Sequence, residues 1–188
     1  NHWVTHVWID GKDFGTKDNL ISPQIYDMGI DIKPGKHRLT ICVDNTLKFD
    51  LGRFVSINYE GTQTNWNGII GKIQLTAVDP VSLCKIEVYP DVDHKLIKVK
   101  AYVSNLTGSP VRGNIGLSVV DAKGLEAGNF VSSPFSSQNQ EFMITMDFPM
   151  GKNPKLWDEF SPYLYELKTS LSTKTPGFHD EKVVSFGM

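Results

Sequence analysis

The chain has few cysteines and no excess of either charge, and both shortages restrict its function. Cys42 and Cys84 are the only cysteines among 188 residues, too few for a disulfide framework or a cysteine-rich zinc site. Nineteen basic against 21 acidic residues give a formal net charge of −2, whereas nucleic-acid binding needs a clustered basic excess. We therefore expect no nucleic-acid partner. We interpret both cysteines as buried free thiols, while a bridge would need their α-carbons within about 7 Å.

Long hydrophobic runs and helical spacing are also missing. No run approaches the roughly 18 apolar residues that a membrane helix requires, so we expect no membrane partner. Residues 1–7 lack the basic and apolar segments of a signal peptide, so any export signal has been removed or lies upstream. The best helical candidate, residues 156–168, contains Pro162, which would remove a backbone donor and clash with the preceding turn.

The sequence is rich in apolar and polar residues that alternate with a period of two. Alternation occurs in residues 3–9, 38–43 and 69–78, and 16 glycines and 10 prolines separate most such runs. In the first run, one face carries Trp3, Thr5, Val7 and Ile9. A strand with one apolar face is typical of an antiparallel sheet that is solvated on one side. The sequence therefore predicts an all-β fold.

A break in the alternation at Pro80 predicts two domains, residues 1–79 and 80–188. The second domain contains seven strand candidates, as expected for an immunoglobulin-like sandwich: residues 84–89, 95–104, 112–121, 127–132, 140–148, 163–172 and 180–187. We predict an exposed loop at residues 132–140. The first domain offers only about five strands, fewer than the roughly eight of a jelly roll. Because open sheet edges recruit other strands, we expect this segment either to pair with another chain or to be poorly protected from hydrogen exchange.

Catalytic and metal-binding patterns are not found in the sequence. His2 and His6, the closest pair of the five histidines, would lie about 13 Å apart on a strand, too far to bind one metal. No serine elbow or phosphate-binding glycine loop is present. Carboxylates such as Asp158 and Asp180 lie in predicted turns or strand ends. We therefore expect no catalytic residue, no metal site and no cofactor in this chain.

One polar loop, residues 61–68, has the composition of a sugar site. Trp66 lies between Asn65 and Asn67, so an indole face could cover sugar C–H groups while the amides bond hydroxyls. The alternative is a turn in which Trp66 packs onto the sandwich and the amides cap backbone groups.

Six segments carry a resemblance to a known family: residues 7–15 (VWIDGKDFG), 32–45 (IKPGKHRLTICVDN), 65–73 (NWNGIIGKI), 156–157 (LW), 161–167 (SPYLYEL) and 186–188 (FGM). In these segments, and in the same order, the chain resembles glycoside hydrolase family 2, the family of β-galactosidases, β-glucuronidases and β-mannosidases.

The resemblance implies a partial galactose-binding-like jelly roll followed by an immunoglobulin-like sandwich. It also implies a parent protein that is a retaining β-glycosidase, most similar to a β-galactosidase, whose catalytic TIM barrel lies outside this chain. A barrel needs about 250 residues, which this chain cannot supply. The expected partners are that barrel and a carbohydrate substrate, with Asn65, Trp66 and Asn67 near the sugar. By analogy with the family, the expected location is periplasmic or extracellular.

Two other functions fit the sequence features. An autonomous carbohydrate-binding module would use Trp66, and calorimetric titration with sugars would detect its binding. A structural or assembly segment would self-associate through its open sheet edge, which light scattering would reveal.

Overall fold

The computed structural model describes residues 3–19, 22–29, 32–46 and 68–188. Its regular structure within these residues consists of ten β-strands without a helix, so the all-β prediction is confirmed. The described part of the chain accordingly provides no helix suited to cross a membrane. The chain divides into two compact units, Asn1–Leu75 and Thr76–Met188. The assignment of residues 1–79 and 80–188 to separate domains stays a prediction.

The first unit contains a three-stranded antiparallel sheet in the order β2-β1-β3. Its strands are β1 (Val4–Ile9), β2 (Lys12–Asp18) and β3 (Leu39–Asp44). The central strand β1 buries alternate side chains, as the period of two predicts. The buried positions are Trp3, Thr5, Val7 and Ile9.

Asp10 joins the β1–β2 turn to the segment that precedes β3. Asp10 and Gly11 both have positive φ, 50° and 85°, as a two-residue type I′ turn requires. Asp10 Oδ1 accepts from the Arg38 amide at 2.8 Å, and Oδ2 lies 2.6 Å from His37 Nδ1. His37 Nε2 lies 2.6 Å from the Lys33 carbonyl oxygen. Because two acceptors face the ring nitrogens, the protonated imidazole fits this site best, and the Asp10 hydrogen bond raises the pKa of His37.

The prediction of a strand at residues 69–78 is wrong. These residues form no strand ladder, and their apolar side chains are exposed, with Ile73 and Leu75 among them and Leu75 77% accessible. The alternation is present, but no partner strand among the described residues pairs with the segment. A strand needs such pairing because its backbone N–H and C=O groups form their hydrogen bonds with a neighbouring strand.

The second unit is an immunoglobulin-like sandwich of seven strands in two antiparallel sheets. The sheets have the orders β4-β5-β8 and β10-β9-β6-β7. The strands are β4 (Val81–Asp91), β5 (Leu96–Asn105), β6 (Val111–Asp121), β7 (Val131–Ser137), β8 (Glu141–Pro149), β9 (Tyr165–Thr173) and β10 (His179–Phe186).

The core of the second unit consists of the inward positions of these strands. Strand β5 buries every second residue, and β6 and β9 do the same over most of their length. The largest fully buried side chains are those of Phe148, Leu83, Ile97, Ile115, Leu117, Leu167 and Leu171. Six of these seven residues lie within the strand ranges predicted from the sequence, and Leu83 lies just before one of them.

The structure differs from the predicted strand at 127–132 and from the predicted loop at 132–140, because strand β7 occupies most of that loop. The strand begins at Val131 and includes Pro134, which lies opposite Asn114 of β6. Among the described strands, β7 pairs with β6 alone and forms the edge of its sheet. Proline is tolerated in an edge strand because its missing N–H can face away from the ladder.

Both cysteines are free thiols, as predicted, but both are exposed, so the prediction that they are buried is wrong. Cys42 lies on β3 opposite His6 of β1. Cys84 occupies a bulge in β4, where the register shifts between Leu83 and Lys85. A bulge inserts an extra residue that the two-residue period does not anticipate.

We predict that replacing Thr169 by valine stabilises the protein. Thr169 is fully buried on β9, and its hydroxyl has no partner among the described residues. Removing a buried, unsatisfied hydroxyl at constant shape should raise the free energy of unfolding by about 1 kcal/mol, measured by urea denaturation.

Thr173, four residues after Thr169 on the same strand, provides the matched control. Its hydroxyl donates to the Pro176 carbonyl and accepts from the Phe178 amide at 2.8 Å. Thr173→Val should therefore lower the free energy of unfolding by about 1–2 kcal/mol. Equal losses in both variants would contradict the prediction.

Candidate functional site

The predicted sugar-binding residues Asn65, Trp66 and Asn67 lie outside the described residues. Their role therefore stays a prediction. The description continues at Gly68, whose φ of 81° is readily adopted only by glycine.

A depression of about 480 Å³ contains two neighbouring carboxylates, Asp180 and Glu181. Asp180 Oδ2 accepts from the Leu83 amide at 2.7 Å, and Glu181 Oε2 lies 2.6 Å from Lys168 Nζ. Each acid already has a partner within the sandwich. The pair therefore has a structural role and lacks the arrangement of a general acid and base.

A second depression, of about 510 Å³, lies at the β4–β5 turn and includes Asp91, His94 and Asp147. Asp91 accepts from the His94 amide at 3.0 Å and lies 2.8 Å from His94 Nδ1. The His94 amide holds the pKa of Asp91 below its usual value. In the described ranges, no group of three His, Cys, Asp or Glu side chains could hold a metal ion.

Glu87 is the centre of a polar cluster on the outer face of the β4-β5-β8 sheet. Lys85 Nζ donates to Glu87 Oε1 at 2.6 Å, and the hydroxyls of Tyr89 and Tyr102 each donate to Oε2 at 2.9 Å. These bonds, that from Lys85 first, lower the pKa of Glu87 to about 2. The same carboxylate raises the pKa of both tyrosines. The cluster orders three side chains across two neighbouring strands.

We predict that this cluster makes stability depend on pH in the acid range. The folded pKa of Glu87, about 2, lies below its usual 4.5. The stabilisation is therefore fully present above pH 4.5 and lost as the pH falls towards 2. An NMR titration of the Glu87 carboxyl carbon should give a midpoint near 2, and Tyr102→Phe should raise it. A midpoint near 4.5 in the unmodified protein would refute the prediction.

A hydrogen-bonded turn forms the tip of what we call the Trp157 hairpin, residues 156–164. Trp157 and Pro162 form an isolated β-bridge, and the Asp158 amide donates to the Ser161 carbonyl at 3.2 Å. Asp158 Oδ1 accepts from the amides of Phe160 and Ser161, at 2.9 and 2.6 Å. A carboxylate that accepts from nearby backbone amides stabilises a turn.

The Trp157 hairpin exposes a group of large apolar side chains. The Phe160 side chain is 91% accessible, and about half of each of Leu156, Trp157 and Leu164 is exposed. We treat this exposed group as a candidate interaction surface.

The Trp157 hairpin is attached to the end of strand β10. The Trp157 amide donates to the Met188 carbonyl at 2.7 Å. Gly187 packs so closely that a β-carbon there would lie 2.7 Å from Trp157 Cβ. Trp157 of the hairpin therefore lies directly beside the last two residues of the second unit.

Two tyrosines fix the base of the hairpin to the second unit. The Tyr163 hydroxyl donates to Asp121 Oδ2 at 2.8 Å, and the Lys155 amide donates to the Tyr165 hydroxyl at 2.8 Å. Lys155 Nζ lies 4.4 Å from the Tyr163 ring centroid. The pKa of Asp121 is lowered, first by the Leu125 amide and then by Tyr163.

The sequence indicates an interrupted helix over residues 156–168 and a turn at Asp158, and segments 156–157 and 161–167 contribute to the family resemblance, but none of these features predicts an exposed hairpin. The available signal was three large apolar residues beside two prolines, at positions 154 and 162. Such a pattern indicates a turn, but it does not distinguish an exposed aromatic residue from a buried one.

Residues 81–188 match the profile of glycosyl hydrolases family 2. The chain is 23% identical to a β-galactosidase of Oenococcus oeni, over 97% of this chain and 18% of that protein. It is 25% identical to a β-galactosidase of Lactococcus lactis, over 94% of this chain and 16% of that protein. It therefore spans less than a fifth of the length of these curated relatives.

Solved structures share the fold. A Bacteroides uniformis β-glucuronidase superposes with a TM-score of 0.79 at 16% identity, over 100% of this chain and 23% of that chain. A galacturonate-bound β-galacturonidase from Eisenbergiella tayi gives a TM-score of 0.72 at 21% identity, over 99% of this chain and 31% of that chain. Since the family profile matches more than half of the sequence, the chain belongs to glycosyl hydrolases family 2.

Proposed function

We propose that the chain is a non-catalytic accessory β-sandwich region of a larger family 2 β-glycosidase. The observation that carries the proposal is its coverage, because nearly the whole chain aligns with less than a fifth of two β-galactosidases. The carboxylates of Asp180 and Glu181 support it as well, because each already has a partner within the sandwich. Retaining glycosidases need two free carboxylates about 5–5.5 Å apart, which we assign to polypeptide outside these residues.

The parent protein, in this proposal, hydrolyses terminal β-glycosidic bonds and is most similar to a β-galactosidase. The names of the aligned relatives support this substrate class. Asn65, Trp66 and Asn67 would contribute to the rim of its sugar pocket. We further propose a periplasmic or extracellular location.

The accessory role includes contact with the catalytic barrel of the parent chain. The exposed apolar residues of the segment 69–78 support a further contact with another polypeptide. If that contact forms between two copies of this chain, light scattering should show a mass that rises with concentration.

Activity assays test the proposal directly. Purified residues 1–188 should not hydrolyse chromogenic β-galactosides, β-glucuronides or β-mannosides, whereas the parent protein should hydrolyse one of them. Turnover that remains with residues 1–188 after repurification would overturn the proposal. A parent protein inactive on every β-glycoside would overturn the assigned substrate class.

Calorimetric titration separates the accessory role from an autonomous sugar-binding module. The accessory role predicts no heat when residues 1–188 are mixed with millimolar galactose- or glucuronate-containing oligosaccharides. Binding that is lost in Trp66→Ala would instead favour the module.

A further inference from the structure

We propose that His37 is a pH-sensitive latch, which holds residues 33–36 near the β1–β2 turn while its ring is protonated and releases them when the ring loses its proton. The latch concerns the conformation of the first unit, and it does not depend on the activity of the parent protein. Three observations carry it: two acceptors flank the ring, residues 33–36 have few other bonds, and one of the acceptors is ionised.

The ring of His37 lies between acceptors from two parts of the chain. Nδ1 lies 2.6 Å from Asp10 Oδ2, and Nε2 lies 2.6 Å from the Lys33 carbonyl oxygen. A protonated imidazole donates from both nitrogens, whereas a neutral imidazole has one N–H and a lone pair on its other nitrogen. The protonated ring can therefore bind both acceptors at once, and the neutral ring can bind one of them.

Residues 33–36 depend on this ring for their attachment. They are exposed and belong to no strand. The contact with His37 Nε2 is the one hydrogen bond that they make within the described part of the chain. The ring also lies close to Gly35, where a β-carbon would be 4.0 Å from Nε2. Because exposed segments with few bonds open at the lowest free-energy cost, loss of the proton on Nε2 should release these residues.

Asp10 determines which of the two bonds remains after deprotonation. A carboxylate is a stronger acceptor than a peptide carbonyl because it is charged, so the remaining proton stays on Nδ1. The lone pair of Nε2 then faces the Lys33 carbonyl oxygen, and the two repel each other. The bonds between the backbone of Arg38 and Asp10 do not involve the ring. The start of β3 therefore stays attached to the turn when residues 33–36 are released.

The charges around the ring place the release above the usual pKa of histidine. The hydrogen bond with Asp10, and then that with the Lys33 carbonyl, raise the pKa of His37 above 6.5. Among the described residues, Asp10 is the charged group that acts on the ring. The Arg38 amide, and then His37, lower the pKa of Asp10, so this carboxylate stays ionised while His37 titrates. The latch is therefore closed below pH 6.5 and opens as the pH rises through the raised pKa.

Backbone ¹⁵N relaxation of residues 1–188 tests the latch. At about pH 5.5 the order parameters of Gly35 and Lys36 should be about 0.8, and at about pH 9 they should fall below about 0.6. The midpoint of this change should coincide with the NMR titration of the His37 ring. Above the midpoint, the ring ¹⁵N shifts should place the remaining proton on Nδ1.

Two variants separate the contributions of the two acceptors. His37→Asn keeps an N–H donor for Asp10 but has no group that reaches the Lys33 carbonyl, so the order parameters should be low at both pH values. Asp10→Asn removes the charge and keeps an oxygen that can accept from the Arg38 amide. In that variant the transition should move to lower pH.

His94→Asn is the matched control, because the His94 ring contacts a single acceptor, Asp91 Oδ2, in the second unit. It should leave the transition at Gly35 and Lys36 unchanged. Order parameters that stay constant while His37 titrates would overturn the inference. A His37 midpoint at or below 6.5, or a transition that persists in His37→Asn, would do the same.

Discussion

Replacing Gly113 by alanine is expected to destabilise the protein by about 3 kcal/mol or more. Gly113 lies in β6, between β7 and β9. A β-carbon at this position would come within 2.1 Å of the Ser172 carbonyl oxygen and 2.8 Å of the Phe135 ring. The carbonyl belongs to the backbone of β9, so relief of the clash requires the two central strands to separate. Urea denaturation at equilibrium measures the loss.

Gly116→Ala is the control, because Gly116 lies on the same strand but faces side chains, whereas Gly113 faces a backbone carbonyl. A β-carbon there would meet the Phe130 ring at 2.6 Å and Ser170 Oγ at 2.7 Å. Both are side-chain atoms that rotation can move, and Phe130 is exposed. The expected loss is about 1 kcal/mol. Equal losses at the two glycines would show that the backbone carbonyl is not the obstacle.

Asp180→Ala is expected to cost about 2–3 kcal/mol, the second large effect. Asp180 Oδ2 accepts from the Leu83 amide at 2.7 Å, and Leu83 is 2% exposed. The bulge at Cys84 interrupts the β4–β5 ladder at this point. Without the carboxylate, the amide of a buried residue would lose its acceptor.

Asp180→Asn tests the cause of this loss. Asparagine retains an oxygen that can accept from the Leu83 amide, so we expect a loss of about 1 kcal/mol or less. Hydrogen exchange should show faster exchange of the Leu83 amide in the alanine variant only. Similar stabilities for the alanine and asparagine variants would refute the role of this hydrogen bond.

Alternation predicted the inward faces of most strands because successive side chains of a strand point to opposite faces, so burial of one face makes every second residue apolar. The apolar positions of β5 and β6, and Trp3, Val7 and Ile9 of the first unit, are buried as expected. Strand β7 was missed because tolerance of Pro134 depends on its edge position, a property of the whole sheet. Residues 69–78 were overpredicted because alternation does not reveal whether a partner strand exists.

The functional features depended more strongly on tertiary structure. The contact between Leu83 and Asp180 joins residues 97 positions apart, and no local pattern indicates it. The exposure of Phe160 depends on which neighbours cover the hairpin, whereas the sequence shows only an apolar residue near a proline. The resemblance to a known family identified the region, but the Trp157 hairpin became visible only in three dimensions.

The contacts between β4 and β10 also have a mechanical consequence. The His179 amide donates to Asp79, the Leu83 amide to Asp180, and Lys182 Nζ to the Cys84 carbonyl. The partners advance along both strands together, so the first and last strands of the unit run in the same direction. A force that pulls the ends of this unit apart would load these contacts in shear and simultaneously, whereas an antiparallel pair would unzip one bond at a time. The second unit should therefore resist a force applied at its two ends more strongly than a sandwich whose first and last strands are antiparallel.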